Sequence, residues 1–476
     1  MRAVFVSSEV YPFSKTGGLA DVAISLPATL NKKGVNTIIV TPLYSDINRE
    51  KFKIVSTNKS FKVFINFANE HIEIFETTFK NIKIYFLHNK NYFNTDKYYE
   101  GENSGIRFSL LCYGALELCK SLHFQPDIFH LNDWQTSLVS VLLKTNYSTD
   151  NFFQKTQTLL TIHNLAYQGF FPPDILNRIG IPFQVFHIDA LEFYGQVNFL
   201  KGGIVFSDFL NTVSPTYAKE ILTFEAGRGL DGVLLKRKES LYGILNGIDY
   251  EIYNPETDTF LFANYSLDSI EKKVLNKVEL QKKLKLGTDK DKVIFAFIGR
   301  LTEQKGIELV LNVMENLKYI NAQMVLLGEG DGLYKVQLKK MMSKYPNKIS
   351  VSFSFNEKLA RQIYAGADFF LMPSLFEPCG ISQLISMRYG TIPIVRAVGG
   401  LKDSVDNNTG FIFKNFSKDE FFDMMLKSME IYYTDKGKII EMKKNCMSKN
   451  FSWEKSAEKY IEIYNKMIKN RRKLYG

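Results

Sequence analysis

The sequence predicts an α/β protein in which two doubly wound domains are each built on a parallel β-sheet. Short apolar runs of strand length alternate with helical patterns along the chain. The runs are almost continuously apolar, as expected of strands that are covered on both faces. The alternation also begins afresh in the second half of the chain. With 476 residues, the protein is long enough for two or three domains with sizeable cores.

The first half opens with a strand, a glycine-containing turn and a helix. Ala3–Val6 is an apolar run, and Gly34 marks the end of the helix that follows the turn. The apolar positions of this helix have the spacing of one helical face and are Leu19, Val22, Ala23 and Leu26. Val35–Val40 is the next predicted strand, and the segments DIFHLNDW and TLLTIHN each place polar residues after an apolar run. Together these elements predict one Rossmann-type domain over residues 1–240.

The second half repeats this architecture without repeating the sequence. Val293–Ile298 is a predicted strand, and a polar loop separates it from a helix whose apolar face holds Ile307, Val310, Leu311 and Met314. The segments QMVLLGEGDG, ADFFLMPS and TIPIVRAVGG each place a glycine or polar turn after a strand. We therefore predict a second Rossmann-type domain over residues 241–454. A closing helix at 455–476 is expected to pack back on the first domain.

Composition excludes several classes of protein. Hydrophobic residues make up 45% of the chain and charged residues 23%, which is ordinary for a globular protein. No apolar run approaches the roughly 20 residues of a membrane span, and the N-terminus lacks a secretory leader pattern, so we expect no membrane partner. The four cysteines form no CxxC pair and no metal-ligand spacing, which favours a reducing, cytoplasmic location. The net charge of +10 comes from lysines spread among acidic neighbours, so we expect no nucleic-acid partner.

Two loops that follow strands carry cations suited to phosphate groups. Lys15 precedes Gly17 and Gly18 at the start of the first helix, where bare backbone amides and a cation together favour a phosphate. The same residues also suit a purely structural strand-to-helix turn. Arg300 and Lys305 lie five residues apart in one loop of the second half, a spacing that suits a diphosphate. Two solvated surface cations are an equally good interpretation of that loop from local sequence.

Several polar residues follow other predicted strands. Glu377 in FEPCG either accepts hydrogen bonds from sugar hydroxyls or caps the helix that follows, and capping is the commoner role of an isolated glutamate there. His163 and Asp133 both fall at strand ends, where a single histidine is more often structural than catalytic. Cys379 has no histidine or cysteine pattern beside it, so packing is its expected role. The glycine-rich GEGDG turn is likewise interpreted as structural.

Eight segments of the chain resemble one enzyme family, in the family's order and spacing. They are KTGGLADV, HNLAYQG, FLKGGIVFSDFLNTVSPTYAKEI, GLDGVL, ILNGID, GRLTEQKG, PSLFEPCGISQL and RYGTIPIVRAVGGLKDSV. Over nearly its whole length the sequence is similar to glycosyltransferase family 5, which comprises the bacterial glycogen synthases and the plant starch synthases. The resemblance implies the GT-B fold, in which two Rossmann-like domains face each other and the active site lies in the cleft between them.

The resemblance also implies which residues act on the substrate. Those implied to be catalytic are Glu377, Arg300, Lys305, His163 and Asp133. Those implied to bind ADP-glucose are Lys15, Gly18, Asp21, Asn246, Phe355, Cys379, Gly380 and Ser382. By this resemblance Arg300 and Lys305 hold the ADP phosphates. Glu377 and the backbone at Cys379 and Gly380 hold the donor glucose.

Three positions depart from the usual pattern of the family. Asn132 stands where a histidine is common before the Asp-Trp pair, and Ser354 replaces a common glycine. Phe355 stands where a tyrosine commonly stacks on adenine. Because a ring face remains, stacking is expected to survive without the hydroxyl.

The activity implied by the resemblance is retaining transfer of glucose from ADP-glucose to the non-reducing end of an α-1,4-glucan, which elongates glycogen. It implies neither a metal nor pyridoxal phosphate, and UDP-glucose is the alternative donor. A glucan hydrolase could instead use Asp133 and Glu377 as its carboxylate pair, but the phosphate-binding cations would then have no role. A non-catalytic glucan-binding protein is the other alternative. Such a protein would have a degenerate pocket, whereas every major motif of this chain is intact.

Overall fold

The computed structural model describes residues 1–330 and 332–475, without the side chains of 471–475. The described chain divides into two compact units. The first comprises Met1–Ile244 together with the helix that begins at Trp453, and the second comprises Leu245–Ser452. The second unit is therefore inserted into the first along the chain. No helix among the described residues is long and apolar enough to cross a membrane.

The first unit is built on a nine-stranded sheet with a small three-stranded sheet beside it. Its strands are β1 (Arg2–Val6), β2 (Asn36–Pro42), β3 (Val55–Ile65), β4 (Ala68–Phe79), β5 (Ile82–His88), β6 (Ile128–Asn132), β7 (Gln157–Ile162), β8 (Phe170–Phe171), β9 (Glu192–Phe193), β10 (Gln196–Asn198), β11 (Phe209–Thr212) and β12 (Leu241–Gly243). The large sheet runs β12-β11-β7-β6-β1-β2-β5-β4-β3, parallel from β12 to β5 and antiparallel through β4 and β3. The small sheet runs β8-β10-β9.

Helices cover both faces of the large sheet. They are α1 (Leu19–Lys32), α2 (Ser104–Ser121), α3 (Asp133–Lys144), α4 (Ile175–Arg178), α5 (Phe199–Phe206), α6 (Pro215–Glu220) and α7 (Asp231–Lys236). Side chains of β1 alternate between two cores: Ala3 and Phe5 lie in the core that contains α1, and Val4 and Val6 lie in the core that contains α2 and α3. Because both faces are buried, β1 is a continuous apolar run rather than an alternating one.

The second unit has a six-stranded parallel sheet in the order β15-β14-β13-β16-β17-β18. The strands are β13 (Val293–Ile298), β14 (Ala322–Leu327), β15 (Ile349–Ser352), β16 (Phe369–Met372), β17 (Ile392–Arg396) and β18 (Phe411–Phe413). The helices are α8 (Lys273–Lys283), α9 (Ile307–Met314), α10 (Gly332–Lys344), α11 (Glu357–Gly366), α12 (Ser382–Arg388), α13 (Gly399–Ser404), α14 (Lys418–Thr434) and α15 (Lys436–Ser448). The predicted strand at Val293–Ile298 is thus confirmed.

The last helix, α16 (Trp453–Tyr475), completes the first unit. It packs on the face of the large sheet that α1 covers. Two of its tyrosines satisfy buried polar groups of that sheet. The hydroxyl of Tyr464 lies 2.8 Å from His130 Nδ1, and the hydroxyl of Tyr460 accepts a hydrogen bond of 2.9 Å from the side-chain amide of Asn211. Burial lowers the pKa of His130 to about 3, so its ring is neutral at physiological pH.

Each large sheet reverses its strand order next to its first strand. In the first unit β1 lies between β2 and β6, and in the second β13 lies between β14 and β16. The loops that leave the carboxyl ends of these neighbouring strands diverge and open a crevice, which is where open α/β sheets bind their ligands. The two doubly wound sheets confirm the predicted fold class. They also define one crevice in each unit, at the carboxyl ends of β1 and β6 and of β13 and β16.

Candidate active site

The loop after β1 is organised by a buried carboxylate that the sequence analysis did not single out. Glu9 is only 1% exposed. Its Oε2 accepts hydrogen bonds from the amide of Thr16 at 2.6 Å and from the hydroxyl of the same residue at 2.8 Å. The amides of Gly17 and Ala20 also donate to this carboxylate, which partly offsets the rise in its pKa that burial causes. Glu9 therefore occupies one amide in the first turn of α1, that of Ala20, and two amides of the loop before it, so these three are not available to a phosphate.

Lys15 and Asp21 form an ion pair beside this loop. The ammonium of Lys15 lies 2.8 and 2.7 Å from the two carboxylate oxygens of Asp21, and their side chains are 40% and 33% exposed. The ammonium also lies 5.3 Å from the centre of the Tyr11 ring. Gly18 is the N-cap of α1, with φ of −72° and ψ of −18°. The loop thus presents a partly exposed, oriented cation at the crevice of the first unit.

Asp133, directly after β6, is held in a strained backbone conformation. Its φ of 55° lies in the left-handed region, which costs a non-glycine residue about 1–2 kcal/mol. The carboxylate accepts a hydrogen bond of 2.7 Å from the amide of His163 and another from the amide of Asn164. Burial nevertheless raises the pKa of Asp133 to about 7, and the charge of Glu9 adds to the rise. Strain and a shifted pKa together are typical of functional positions.

Asn132 fixes the tautomer of His163. The Asn132 side-chain amide donates to the carbonyl of Val6 at 2.8 Å, so its oxygen is left to face His163 Nε2 at 2.9 Å. Nε2 therefore carries the proton, and Nδ1 is the acceptor. Burial lowers the pKa of His163 to about 4, so the ring is neutral at physiological pH. The asparagine that departs from the family pattern thus has a defined role in this site.

In the second unit, the loops after β13 and β16 are joined at their predicted functional residues. The ammonium of Lys305 lies 2.6 Å from Glu377 Oε2, which also accepts a hydrogen bond of 3.1 Å from the Ser374 hydroxyl. The side chain of Glu377 is 6% exposed and that of Lys305 is 21% exposed. The amide of Leu375 donates to the carbonyl of Gln304 at 2.9 Å and links the two loops through their backbones.

The helix-capping interpretation of Glu377 is wrong. The N-cap of α12 is Ile381, and no side chain caps that helix end. The carboxylate of Glu377 is instead committed to Lys305. Arg300 is exposed, and its guanidinium donates to the side-chain oxygen of Gln304 at 3.2 Å. The crevice of the second unit thus holds two cations, Lys305 and Arg300, and one carboxylate, Glu377.

The Cys379–Gly380 turn packs tightly on the first residues of α13. A Cβ at Gly400 would overlap the carbonyl of Cys379, so only glycine fits there. Gly380 has a φ of +71°, which also favours glycine. Burial raises the pKa of the Cys379 thiol to about 12, and the backbone amide of Asn246 points at its sulfur. The thiol is therefore protonated and unreactive, which agrees with the packing role expected from the sequence.

Three buried polar atoms near these loops have no hydrogen-bond partner among the described residues. They are the side-chain oxygens of Asn246, Thr302 and Gln383. Thr302 belongs to the Arg300–Lys305 loop, Gln383 faces the Cβ position of Gly380, and Asn246 adjoins Cys379. Leaving such an atom unpaired costs about 1–3 kcal/mol, so each of the three would gain from a polar ligand group or an ordered water.

The structure brings together most, but not all, of the predicted residues. Glu377 lies with Lys305, Asn246 with Cys379, Asp133 with His163, and Lys15 with Asp21. Ser382 hydrogen-bonds to Tyr364. Phe355 is 62% exposed, and its amide donates to Glu329 Oε1 at 3.1 Å. Cβ atoms at Gly328 and Gly330 in the GEGDG turn would overlap the backbone of the β13 loop, which agrees with a structural role, and Asp331 of this turn lies outside the described residues.

Comparisons with known proteins identify the family to which the chain belongs. The family model described as the starch synthase catalytic domain matches residues 2–236, and that of the glycosyl transferases group 1 matches residues 278–437. The glycogen synthase of Thermotoga maritima is 46% identical, with 98% of this chain and 99% of that protein covered. The glycogen synthase of Alkaliphilus metalliredigens is 42% identical, with 98% and 99% covered.

Solved structures agree with these relatives. The catalytic domain of starch synthase IV from Arabidopsis thaliana, bound to ADP and acarbose, matches with a TM-score of 0.92 at 30% identity, and covers 98% of this chain and 99% of that chain. Sucrose-phosphate synthase from Thermosynechococcus elongatus matches with a TM-score of 0.61 at 15% identity and shows a shared fold alone. The resemblance and the GT-B fold class are thereby confirmed. The chain belongs to the family of glycogen and starch synthases, and it is a glycosyltransferase.

Proposed function

We propose that this glycosyltransferase takes glucose from ADP-glucose and adds it to the non-reducing end of an α-1,4-glucan, with retention of the anomeric configuration. The observation that carries the proposal is the cluster of Arg300, Lys305 and Glu377 at the crevice between β13 and β16. Two cations suit a diphosphate, and the adjacent carboxylate suits sugar hydroxyls. The ADP bound to the Arabidopsis relative supports adenosine as the nucleoside, and its acarbose supports a glucan acceptor.

In the proposed reaction the second unit stabilises the departing ADP. The bond between the glucose C1 and the phosphate oxygen breaks, and a bond from C1 to the acceptor oxygen forms on the same face. The departing phosphate takes the proton of the acceptor hydroxyl, so no carboxylate nucleophile is needed. Arg300 and Lys305 meet the negative charge that develops on the phosphate, and such a pre-placed donor is typically worth about 3–4 kcal/mol in the transition state. Glu377 offsets the positive charge that develops on the sugar.

The first unit is proposed to orient the sugar. Because Asn132 holds the His163 proton on Nε2, the free Nδ1 is available to accept a hydrogen bond from a sugar hydroxyl. Asp133 holds the backbone of His163 in place through its amide. Lys15 adds a cation that Asp21 keeps oriented.

We also propose that neither a metal nor pyridoxal phosphate takes part. The two cations supply the charge that a divalent ion would otherwise supply to a diphosphate. Among the described residues, no group of three or more His, Cys, Asp or Glu side chains could hold a metal ion. A cytoplasmic location is proposed as well, because Cys112, Cys119, Cys379 and Cys446 are all buried free thiols, as expected in a reducing compartment.

One assay tests these proposals together. The purified protein is incubated with glycogen and either ADP-glucose or UDP-glucose, with and without EDTA, and incorporation of glucose is measured. We expect ADP-glucose to be the better donor and EDTA to have no effect. Glucose release without a nucleotide sugar would instead indicate a hydrolase, and glycogen binding without turnover would indicate a binding protein. Restoration of EDTA-treated activity only by Mg²⁺ or Mn²⁺ would contradict the proposed role of the cations.

A pair of variants distinguishes the loss of a diphosphate contact from the loss of any surface cation. Arg300→Ala should weaken ADP binding and lower turnover, because its proposed partner is present in both substrate and product. Lys340→Ala is the matched control, since Lys340 is an exposed cation of the same unit on α10. Equal ADP affinity of the two variants, measured by calorimetry, would remove Arg300 from the diphosphate site.

A further inference from the structure

The second unit contains a lysine-rich pocket at the opposite end of its sheet from the candidate active site. The pocket has a volume of about 250 Å³ and is lined by α8, α14, α15 and the residues that lead into β16. Asp368, at its base, directly precedes β16, whereas the Glu377 loop follows that strand. The pocket therefore belongs to the amino ends of the strands, and the reaction proposed above does not use it.

The charges that face this pocket are unequal. Five lysines line it, and only two carboxylates, Asp368 and Glu271, accompany them. The lysines are Lys273, Lys277, Lys290, Lys443 and Lys444. Asp289 and Asp291 are within electrostatic range of Tyr432 but do not line the pocket.

A structural role accounts for part of this cluster. The ammonium of Lys273 donates to the carbonyls of Tyr364 and Ala365 at 3.0 and 2.6 Å and to the Thr391 hydroxyl at 2.7 Å, which uses all three of its protons. The ammonium of Lys277 lies 2.7 Å from Asp368 Oδ2 and 2.9 Å from the Tyr432 hydroxyl. These contacts tie α8 to the start of β16 and to α14.

Lys443 does not have a comparable set of structural hydrogen bonds. Its ammonium lies 3.5 Å from Asp368 Oδ1, a carboxylate that already accepts from Lys277 and from the amide of Ile294. Two lysines, whose side chains are 4% and 15% exposed, thus share one buried carboxylate. Burial lowers the pKa of Lys443; the charge of Asp368 opposes this change, and the charge of Lys277 adds to it. Lys444 is exposed at the mouth of the pocket and adds to this excess.

We propose that this pocket binds a small phosphomonoester, with the phosphate against Lys443 and Lys277. A phosphomonoester carries a charge of about −1.5 to −2 at pH 7 and offers three acceptor oxygens, which suits a pocket lined by five lysines and only two carboxylates. The pocket is slightly smaller than the roughly 300–1,000 Å³ of sites for drug-sized ligands, so it suits a small metabolite. Apolar side chains of Val274, Ile440 and Tyr432 line the rest of it and would cover the carbon portion of the ligand.

The test uses the full-length protein with saturating ADP, so that the diphosphate site proposed above is already filled. Inorganic phosphate and glycerol 3-phosphate are titrated by calorimetry and by thermal shift, with sodium chloride at matched ionic strength as reference. We expect both phosphates to raise the melting temperature more than chloride does. Lys443→Gln should weaken phosphate binding by about tenfold or more, since a hydrogen bond to a charged group is worth about 1.5–3 kcal/mol.

Lys436→Gln is the matched control, because Lys436 is an exposed residue on the same helix, α15, outside the pocket. Lys444→Gln is a second pocket variant at an exposed position, which keeps the test decisive if Lys443→Gln fails to fold. The proposal is overturned if phosphate acts no better than chloride. It is equally overturned if the pocket variants bind phosphate as tightly as the control does. The proposal is supported if the pocket variants lose phosphate binding and the Lys436→Gln control keeps it.

Discussion

Replacing Asp133 by asparagine should stabilise the first unit at neutral and alkaline pH. The pKa of Asp133 is about 7 in the folded protein, against an ordinary value of 3.8. Between these two values the unfolded chain has released the proton and the folded chain has kept it, so the stability of the folded state falls as pH rises. Above pH 7 both states are ionised and the loss is complete. The shift of about three units corresponds to a ceiling of about 4 kcal/mol.

The asparagine variant removes this loss and keeps the hydrogen bond from His163 and the backbone conformation. Its side-chain oxygen can still accept from the His163 amide, and asparagine tolerates the left-handed conformation that Asp133 adopts. We therefore expect Asp133→Asn to be more stable than the unmodified protein by about 2–4 kcal/mol at pH 8, with the difference closing towards pH 4.

Urea unfolding followed by tryptophan fluorescence measures this effect in the right part of the molecule. The chain has two tryptophans, Trp134 and Trp453, and both are buried in the first unit. Asp96→Asn, at an exposed position of the same unit, controls for the general loss of a negative charge. A stability difference between Asp133→Asn and the unmodified protein that stays constant from pH 4 to pH 8 would refute the assignment of a raised pKa.

Three further predictions concern single contacts. Glu377→Gln should lower turnover about a hundredfold while leaving ADP affinity, measured by calorimetry, within a few-fold; near-normal turnover in a folded variant would count against it. Tyr464→Phe should lower the free energy of unfolding by about 1–3 kcal/mol because the buried Nδ1 of His130 loses its hydrogen-bond partner, and an unchanged urea midpoint would argue otherwise. Gly400→Ala should lower both melting temperature and turnover, whereas Gly332→Ala, where a Cβ would meet no atom of the described residues, should change neither.

The parallel core of the fold was predictable from sequence, and its half-exposed edge was not. The interior strands are apolar throughout because both faces are covered, so β13 has the bounds that the sequence predicts, Val293–Ile298. In the edge hairpin of β3 and β4, more buried and exposed positions alternate over Phe61–Ile65 and over Asn69–Ile74. Because its signal has a period of two rather than a continuous apolar run, a search for apolar runs passes over it.

The side-chain contacts of the candidate site were likewise only partly predictable from the sequence. Motifs located Lys305 and Glu377, but only the folded structure shows that they pair, since 72 residues separate them in the chain. Glu9 has no spacing signal towards Thr16, and its role depends on how the loop folds back. The contact of Asn132 with His163 likewise joins the ends of two neighbouring strands. Local sequence identifies residue types suited to a reaction, whereas tertiary contacts set their charge and orientation.

The position of α16 has a consequence for synthesis on the ribosome. The large sheet of the first unit is translated long before the helix that covers one of its faces, because residues 245–452 come between them. Until α16 emerges, His130 and Asn211 lack the tyrosine hydroxyls that satisfy them in the finished protein. The second unit, which is continuous in the chain, can therefore complete its fold while the first is still unfinished. The order of completion is the reverse of the order in which the two units begin to be made.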